Sequence, residues 1–336
     1  MTLKDAYIQG KKELKAAGLQ EADLDAWYLL EYVTGISRAA YYADPRKELT
    51  SAWQEKYRTC LEKRKKRIPL QHITGVQEFM GLSFSVNEHV LIPRQDTEIL
   101  VEEALKFIGQ GTLPCEGGKM RILDLCTGSG CILLSVLHHA GGGAAAGRVG
   151  RCGAAPGSVE RCGTVPGSAA PGSVGRCDTA HGSPAESGMG DIIIEGTGAD
   201  ISGDALDVAV ENAEKLGIGA EFIQGDLFEN ISGRFAMILS NPPYIKTKEI
   251  DSLQEEVRLH DPRAALDGKG DGLYFYRRIV SESRDYLLPQ GRLVFEIGYD
   301  QGEDVKNMMS AAGYADITVK KDLAGLDRVV CGRYIR

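Results

Sequence analysis

The chain is 336 residues long, which exceeds one average domain and leads us to expect two domains or one domain with an appendage. Its formal net charge of −8 at pH 7 argues against a protein whose main task is to grip nucleic-acid phosphates. The eight cysteines include no Cys-x-x-Cys pair, so we expect no metal site and interpret them as reduced thiols of a cytoplasmic protein. We find neither a signal peptide nor an apolar run of about 18 residues, and therefore expect no membrane association.

The first 67 residues carry the periodicity of helices. Apolar residues recur on one helix face up to Gly18, which is a typical C-terminal stop. A second helix is expected over residues 21–32, and a third from residue 50 to the basic run 63–67. Together they predict a small helical bundle. The basic run favours a solvated helix end that complements the helix dipole, with contact to RNA as the weaker interpretation.

After the bundle the pattern changes to strands that alternate with helices. Apolar residues at 79, 82, 84 and 86 around Gly81 predict a hairpin. We then expect strands at 121–125, 192–199, 221–223, 236–239 and 291–296, and helices at 131–139, 205–216 and 274–288. Such alternation indicates an α/β fold, with a doubly wound, mostly parallel sheet that helices cover on both faces.

Residues 141–190 do not follow this scheme. They are rich in Gly, Ala, Ser and Pro and have almost no large apolar residues, so we predict a disordered low-complexity insertion. The sequence Ala-Ala-Pro-Gly-Ser-Val occurs at 154–159 and again at 169–174, which indicates repeat expansion. The predicted organisation is an N-terminal helical domain over 1–75, a hairpin linker over 76–90 and an α/β domain over 91–336 that contains the insertion.

A glycine-containing loop joins the predicted strand 121–125 to the predicted helix 131–139. Its residues are Cys126, Thr127, Gly128, Ser129 and Gly130. Glycines allow a tight turn close to a ligand, and the helix N-terminus offers free N–H groups. Because the loop lacks the third glycine of a dinucleotide-binding motif, it suits a ligand without a pyrophosphate, such as a nucleoside.

Polar residues also end the next two predicted strands. Asp200 stands where an acid can accept hydrogen bonds from ribose hydroxyls, and the insertion explains its distance from the glycine loop. Asp226 and Leu227 follow the next strand, where a polar residue can bind an adenine edge and an apolar one can cover its face. Each acid alone could be a helix N-cap. On consecutive strand ends they predict one crevice at the carboxyl edge of the sheet.

The most informative motif follows the apolar strand 236–239. Its residues are Asn241, Pro242, Pro243 and Tyr244. The prolines stiffen the backbone and lack N–H groups, so the carbonyl of Pro242 beside the Asn241 amide oxygen can form a two-acceptor clamp for an –NH2 group. Tyr244 adds a flat apolar wall. An isolated motif of this kind could also be a proline-rich turn, but with the upstream loops it predicts a site for a planar –NH2 group.

The order of these motifs resembles class I S-adenosylmethionine methyltransferases that modify planar –NH2 groups. Further segments resemble the HemK-type peptide chain release factor glutamine N5-methyltransferases, at residues 69–75, 78–82, 91–98, 261–273 and 295–298. The resemblance covers nearly the whole chain apart from 141–190. Gln95 stands where the family usually has proline, and Cys126 where it commonly has glycine. Neither departure removes a donor or acceptor that the chemistry needs.

The resemblance implies methyl transfer from S-adenosyl-L-methionine, with S-adenosyl-L-homocysteine as product, to the glutamine amide in the Gly-Gly-Gln loop of peptide chain release factors. It assigns the methionine part of the cofactor to 126–130, the ribose to Asp200, and the adenine to Asp226 and Leu227. It assigns the glutamine amide to 241–244, with Asn241 also beside the cofactor and Asn241, Pro242 and Tyr244 as catalytic residues. It further implies a docking role for the helical domain. We also expect a monomeric enzyme that requires neither metal nor nucleic acid.

Three alternatives remain open at this point. An adenine N6 nucleic-acid methyltransferase shares the Asn-Pro-Pro-Tyr motif, but it should carry a basic target-recognition region. A ribosomal-protein glutamine methyltransferase of the same family is a second alternative, and the sequence alone distinguishes it less securely from a release factor methyltransferase. A non-catalytic S-adenosylmethionine-binding protein would have no need of the intact motif.

Overall fold

The N-terminal helices form a bundle in the computed structural model, which describes residues 1–141, 150–152 and 192–336. Within residues 1–75, all of them described, the helices are α1 (Leu3–Ala16), α2 (Ala22–Thr34), α3 (Arg38–Ala43), α4 (Ser51–Lys65) and α5 (Leu70–Thr74). A capping box between Thr2 and Asp5 begins α1, and Gly35 ends α2 in the left-handed conformation. The three expected helices are confirmed. α3 and α5 were not expected, because helices this short show little periodicity.

The bundle has an apolar core of its own, which includes Leu14, Trp27, Leu30 and Tyr57. The Tyr57 hydroxyl donates a hydrogen bond to the Ala26 carbonyl at 3.0 Å. A Cβ at Gly10 would collide with this hydroxyl, so glycine there lets α1 pass close to α4.

The basic run differs in part from the predicted solvated helix end. The Arg64 side chain is only 11% exposed, and its Nε lies 2.8 Å from Asp25 Oδ2. Lys65 Nζ lies 3.2 Å from Glu13 Oε2. The long side chains therefore turn back onto the protein, because carboxylates of α1 and α2 lie within their reach.

The α/β part is organised around a sheet. Its strands in chain order are β3 (Lys119–Leu125), β4 (Gly150–Cys152), β5 (Ile193–Asp200), β6 (Glu221–Gln224), β7 (Phe235–Ser240), β8 (Leu287–Glu296), β9 (Tyr314–Lys321) and β10 (Asp327–Tyr334). Among the described residues the sheet order is β4-β6-β5-β3-β7-β8-β10-β9, with β10 antiparallel to both its neighbours and the remaining pairs parallel. The predicted mostly parallel α/β sheet is confirmed.

Helices cover both faces of this sheet. They are α6 (Glu98–Gly109), α7 (Cys131–His139), α8 (Gly203–Leu216), α11 (Tyr274–Tyr286) and α12 (Gly302–Ala311). Two short helices, α9 (Glu255–His260) and α10 (Arg263–Leu266), line pockets instead. Neighbouring strand residues point to opposite faces, so Ile122 packs in one apolar cluster with α6 to α8, and Leu123 in another with α11 and α12. The part of the chain that the structure describes has no helix long and apolar enough to cross a membrane.

The predicted hairpin is confirmed by β1 (Val76–Phe79) and β2 (Leu82–Ser85), which pair antiparallel. Phe79 and Phe84 are buried in the cluster that contains α6 to α8. The Asn212 side chain of α8 accepts a hydrogen bond from Ser85 N at 2.6 Å and donates one to Ser85 O at 3.0 Å. The hairpin is therefore attached to the α/β part. The division of the chain into three segments remains a prediction.

Most of the insertion predicted over 141–190 lies outside the described residues. Gly141 is described just after the end of α7, and Gly150–Cys152 forms β4 and pairs in parallel with β6. These three residues depart from the prediction of disorder. The physical reason is that an edge strand offers unpaired N–H and C=O groups. An extended backbone segment can pair with these groups regardless of the side chains that it carries.

Candidate active site

A cavity of about 300 Å³ lies at the carboxyl ends of β3, β5, β6 and β7. The strand order reverses between β3 and β7, and ligands of open α/β sheets bind at such points. The residues predicted from the sequence that line the cavity are Cys126, Thr127, Gly128, Ser129, Asp200, Asp226, Leu227, Asn241 and Pro243. Gly130, Pro242 and Tyr244 do not line it. The structure thus brings the four predicted loops together around one small-molecule-sized cavity.

The glycine loop makes a sharp turn between β3 and α7. Cys126, Gly128 and Gly130 have φ values of 59°, 55° and 77°, all in the left-handed region. Thr127 Oγ1 donates a hydrogen bond to Asp124 Oδ2 at 2.6 Å, which ties the loop to β3. Gly130 begins α7 as its N-cap, so its role is in the turn rather than in the cavity wall.

Cys126 occupies a strained position in this loop. A non-glycine residue in the left-handed region costs about 1 kcal/mol or more, so the cysteine in place of glycine carries a backbone penalty. Burial, and after it the charge of Asp200, raises the pKa of the Cys126 thiol. The thiol is therefore neutral and acts as an apolar wall rather than a nucleophile. The described residues contain no group of three His, Cys, Asp or Glu side chains that could hold a metal ion.

Asp200 organises the glycine loop as well as facing the cavity. Its Oδ2 accepts a hydrogen bond from Gly128 N at 2.9 Å, and its Oδ1 accepts one from Ser202 N at 2.9 Å. Burial raises the pKa of Asp200, and the hydrogen bonds from backbone N–H groups oppose that shift. The sequence predicted only a contact with ribose. The hydrogen bond between Asp200 and Gly128 joins residues 72 positions apart, so it could be recognised only in the structure.

Asp226 lines the cavity with its carboxylate already engaged. Arg278 Nη1, on α11, donates to both oxygens at 2.9 and 2.8 Å. The same guanidinium donates to Glu282 Oε1 at 3.3 Å. Leu227 is buried, with φ of 57°, and packs in the apolar cluster below the cavity. Arg278 was not singled out from the sequence, because nothing local marks it as the partner of Asp226.

The Asn-Pro-Pro-Tyr segment stands between two pockets. Asn241 lines the 300 Å³ cavity and also a neighbouring pocket of about 240 Å³, which Tyr244, Val257 and Leu266 help to line. Among the described residues, neither the Asn241 side-chain amide nor the Pro242 carbonyl takes part in a hydrogen bond. Two acceptors on consecutive residues thus have no partner among the described residues, while Pro242 is buried.

The backbone that follows Asn241 is held by residues distant in sequence. Gln301 Nε2 donates to Tyr244 O at 3.0 Å, and Gly268 N donates to Ile245 O at 2.8 Å. A Cβ at Gly268 would lie 2.7 Å from Tyr244 Cα, so only glycine permits this contact. The segment 261–273 was recognised by resemblance alone. The structure explains it as the support of the Asn-Pro-Pro-Tyr backbone.

Tyr244 is anchored by a buried acid. Its hydroxyl lies 3.5 Å from Glu296 Oε1, and Glu296 is 2% exposed. Burial, and after it Glu296, raises the pKa of Tyr244 to about 12, while burial raises the pKa of Glu296. Tyr244 is therefore neutral at physiological pH, and its ring serves as a fixed wall of the smaller pocket.

Arg94 places a positive charge at the junction of the two pockets, which it helps to line. Its Nη2 lies 3.3 Å from Asp261 Oδ2. Burial raises the pKa of Asp261 to about 6, although the charge of Arg94 opposes this shift. Both residues lie in segments that the resemblance covered, but no role was predicted for either.

Comparison with known proteins identifies the family. Residues 5–75 match the family model described as the PrmC N-terminal domain, and residues 191–273 match the methyltransferase small domain. The chain is 36% identical to the release factor glutamine methyltransferase of Caulobacter vibrioides, over 99% of this chain and 96% of that protein. It is 35% identical to the protein of the same name from Geobacter sulfurreducens, over 95% and 92%.

A solved structure supports the fold alone. The hMettl16 catalytic domain, in complex with the MAT2A 3′UTR hairpin 6, superposes with a TM-score of 0.50 at 13% identity, over 80% of this chain and 81% of that chain. The sequence relatives show the family as well as the fold, because their identity with this chain extends over nearly the whole length of both chains. This protein therefore belongs to the family of release factor glutamine methyltransferases.

Proposed function

We propose that the protein transfers a methyl group from S-adenosyl-L-methionine to the side-chain amide nitrogen of the glutamine in the Gly-Gly-Gln motif of peptide chain release factors. The observation that carries this proposal is Asn241, which lines both pockets and whose side-chain amide takes part in no hydrogen bond among the described residues. The Pro242 carbonyl, on the next residue of the chain, likewise has no hydrogen bond there. The proposal includes action in the cytoplasm, as a monomer, without a requirement for nucleic acid.

The larger cavity suits the cofactor. S-adenosyl-L-methionine, when bound, supplies an electrophilic methyl group. Asp200 is proposed to accept hydrogen bonds from the ribose hydroxyls, because carboxylate oxygens have lone pairs beyond those that Gly128 and Ser202 use. Leu227 is proposed to cover the adenine and Asp226 to bind its edge, with Arg278 holding the carboxylate. The loop 126–130 would contact the methionine part.

The smaller pocket suits the glutamine side chain, and orientation is its main contribution. An amide nitrogen is a poor nucleophile because its lone pair is delocalised. If Asn241 Oδ1 and the Pro242 carbonyl each accept one N–H, the nitrogen is held toward the methyl donor. The two acceptors also stabilise the positive charge that develops on nitrogen. Neither the thiol of Cys126 nor the hydroxyl of Tyr244 is needed as a base.

The helical bundle is proposed to dock the release factor. A groove of about 410 Å³ runs between α2 and the α/β part. Leu24 and Tyr28 of α2 line it and are 41% and 46% exposed. The groove shares residues 92–94 with the cofactor cavity, so a protein segment lying in it would end beside the reacting centre.

An assay with labelled S-adenosyl-L-methionine tests the function. The purified protein is incubated in separate reactions with a release factor, with ribosomal proteins and with duplex DNA. We expect label in the release factor only, and no label when alanine replaces the glutamine of its Gly-Gly-Gln motif. Label in DNA or in a ribosomal protein, with none in the release factor, would establish one of the alternatives instead.

A further inference from the structure

The short helix α9 forms a wall shared by the smaller pocket and the groove beside the bundle. Gln254 and Val257 line the smaller pocket together with Asn241, whereas Glu256 and Val257 line the groove. No residue of α9 is buried, and a helix of six residues is not stable by itself. Neither apolar burial nor helix propensity therefore explains why α9 lies where it does.

Two arginines of the bundle hold α9 by ion pairs. Glu256 Oε1 lies 3.2 Å from Arg64 Nη1 and 3.2 Å from Arg67 Nη1. Arg67 Nε lies 3.2 Å from Glu255 Oε2. Arg64 is itself held by its ion pair with Asp25, so its guanidinium is already oriented when it meets Glu256.

The charge on Glu256 is maintained at neutral pH. Burial pushes its pKa upward, but hydrogen bonds from its own backbone, from Arg67 and from Arg64 bring the pKa below its ordinary value. At the other end of α9, Asp261 pairs with Arg94. At that same end His260 Nε2 lies 3.4 Å from Lys66 O, so the helix is held by ion pairs to the bundle at its beginning and by contacts to both parts at its end.

We propose that Arg64 and Arg67 are positioning residues for the glutamine pocket. By fixing Glu256 they hold α9 so that Gln254 and Val257 form the outer wall of the pocket beside Asn241. The inference rests on the proposed function, because it takes that pocket as the place of the substrate glutamine. It gives the bundle a role separate from docking, since the wall also matters for a peptide too short to reach the bundle.

Arg67→Gln and Glu256→Gln are the test variants, singly and together. Arg64 is left in place because its loss would strand the buried Asp25 charge. Glutamine at 67 keeps a non-glycine residue at a φ of 66°, so the backbone penalty there is unchanged. Arg58→Gln is the matched control, because Arg58 lies on α4, the helix that Arg67 follows, and its pair with Glu55 is 73% and 75% exposed.

Kinetics with a peptide of about ten residues around Gly-Gly-Gln provide the first readout. We expect the peptide KM to rise roughly fivefold in each single variant, the upper range for a partly exposed ion pair. The rise in the double variant should be smaller than the product of the two single rises, because both changes remove the Arg67–Glu256 pair. It should exceed either single rise, because Arg67 also pairs with Glu255 and Glu256 also pairs with Arg64. The KM for the cofactor should stay unchanged, as should the peptide KM of Arg58→Gln. A peptide KM that stays at the wild-type value in both single variants would overturn the proposal, whatever the melting temperatures.

Hydrogen exchange provides a readout that does not depend on activity. The amides of Arg58→Gln should behave as in the wild type, whereas those of Arg258 and Asp261, which bond within α9, should exchange roughly fivefold faster in Arg67→Gln and Glu256→Gln. Equal exchange rates in all proteins would also overturn the proposal. If the wild type methylates neither peptide nor release factor, the proposed function fails, while the exchange rates still decide whether the bundle positions α9.

Discussion

Asp200→Asn separates the observed role of this carboxylate in the glycine loop from its proposed contact with ribose. Its oxygens accept hydrogen bonds from Gly128 N and Ser202 N, both at 2.9 Å. Asparagine keeps one side-chain oxygen, so one of these N–H groups would face an –NH2 group. An unpaired donor in a partly buried site costs about 1–3 kcal/mol, whereas removal of a buried charge whose pKa is raised offsets part of that cost. We therefore expect the free energy of unfolding without ligand to fall by less than this amount.

Binding of the cofactor should weaken as well. Loss of a charge-assisted hydrogen bond to ribose is expected to cost about 1–3 kcal/mol, which is roughly 5-fold to 150-fold in Kd. Calorimetric titration with S-adenosyl-L-homocysteine measures this change. Asp204→Asn is the control, since it makes the same substitution four positions later at a carboxylate that is 72% exposed. We expect its Kd and its stability to equal those of the wild type.

Ligands with and without ribose hydroxyls distinguish a direct contact from an effect through the loop. If Asp200 accepts a hydrogen bond from the ribose, the substitution should weaken the binding of 5′-methylthioadenosine. It should leave the Kd of the 2′,3′-dideoxy analogue nearly unchanged. Equal losses for both ligands would mean that Asp200 acts only by shaping the glycine loop. Unchanged affinity for S-adenosyl-L-homocysteine would refute the reasoning about Asp200 altogether.

Three further outcomes are expected. Asn241→Ala should lower kcat roughly 100-fold with little change in melting temperature or cofactor Kd, because its side chain has no hydrogen bond among the described residues; near-normal turnover would disprove the clamp. Arg278→Ala should raise the Kd for S-adenosyl-L-homocysteine, because it releases Asp226, and an unchanged Kd would argue against this part of the cofactor site. Burial raises the pKa of Asp124 to about 7 although the Thr127 hydrogen bond opposes it. This pKa exceeds the unfolded value of 3.8, so protonation of Asp124 stabilises the folded protein. That contribution to the free energy of unfolding is fully present below about pH 4 and is lost as the pH rises through about 7. Between pH 4 and pH 8 the melting temperature of Asp124→Asn should therefore fall less than that of the wild type. Equal falls in melting temperature in the two proteins would contradict this reasoning.

The strand ends and the loops that line the cavity could be predicted because their signals are local. An apolar run followed by Gly, Asp or Asn marks a buried strand and the loop after it, and the cavity is lined at all four such places. The helix predicted at 131–139 is observed with the same bounds. The antiparallel strands β9 and β10 were not predicted, because their order in the sheet depends on pairing with β8 rather than on a local motif.

The sequence by itself determined the fold class, the family and the edge of the sheet where the cavity lies, since these follow from the order and spacing of motifs along the chain. Only the tertiary structure decided which groups are engaged and which are free. Asp226 is paired with an arginine 52 positions away, and Arg64 with a glutamate 192 positions away. Such contacts leave no periodic trace, because each depends on two side chains that meet only after the sheet, the bundle and α9 have packed together.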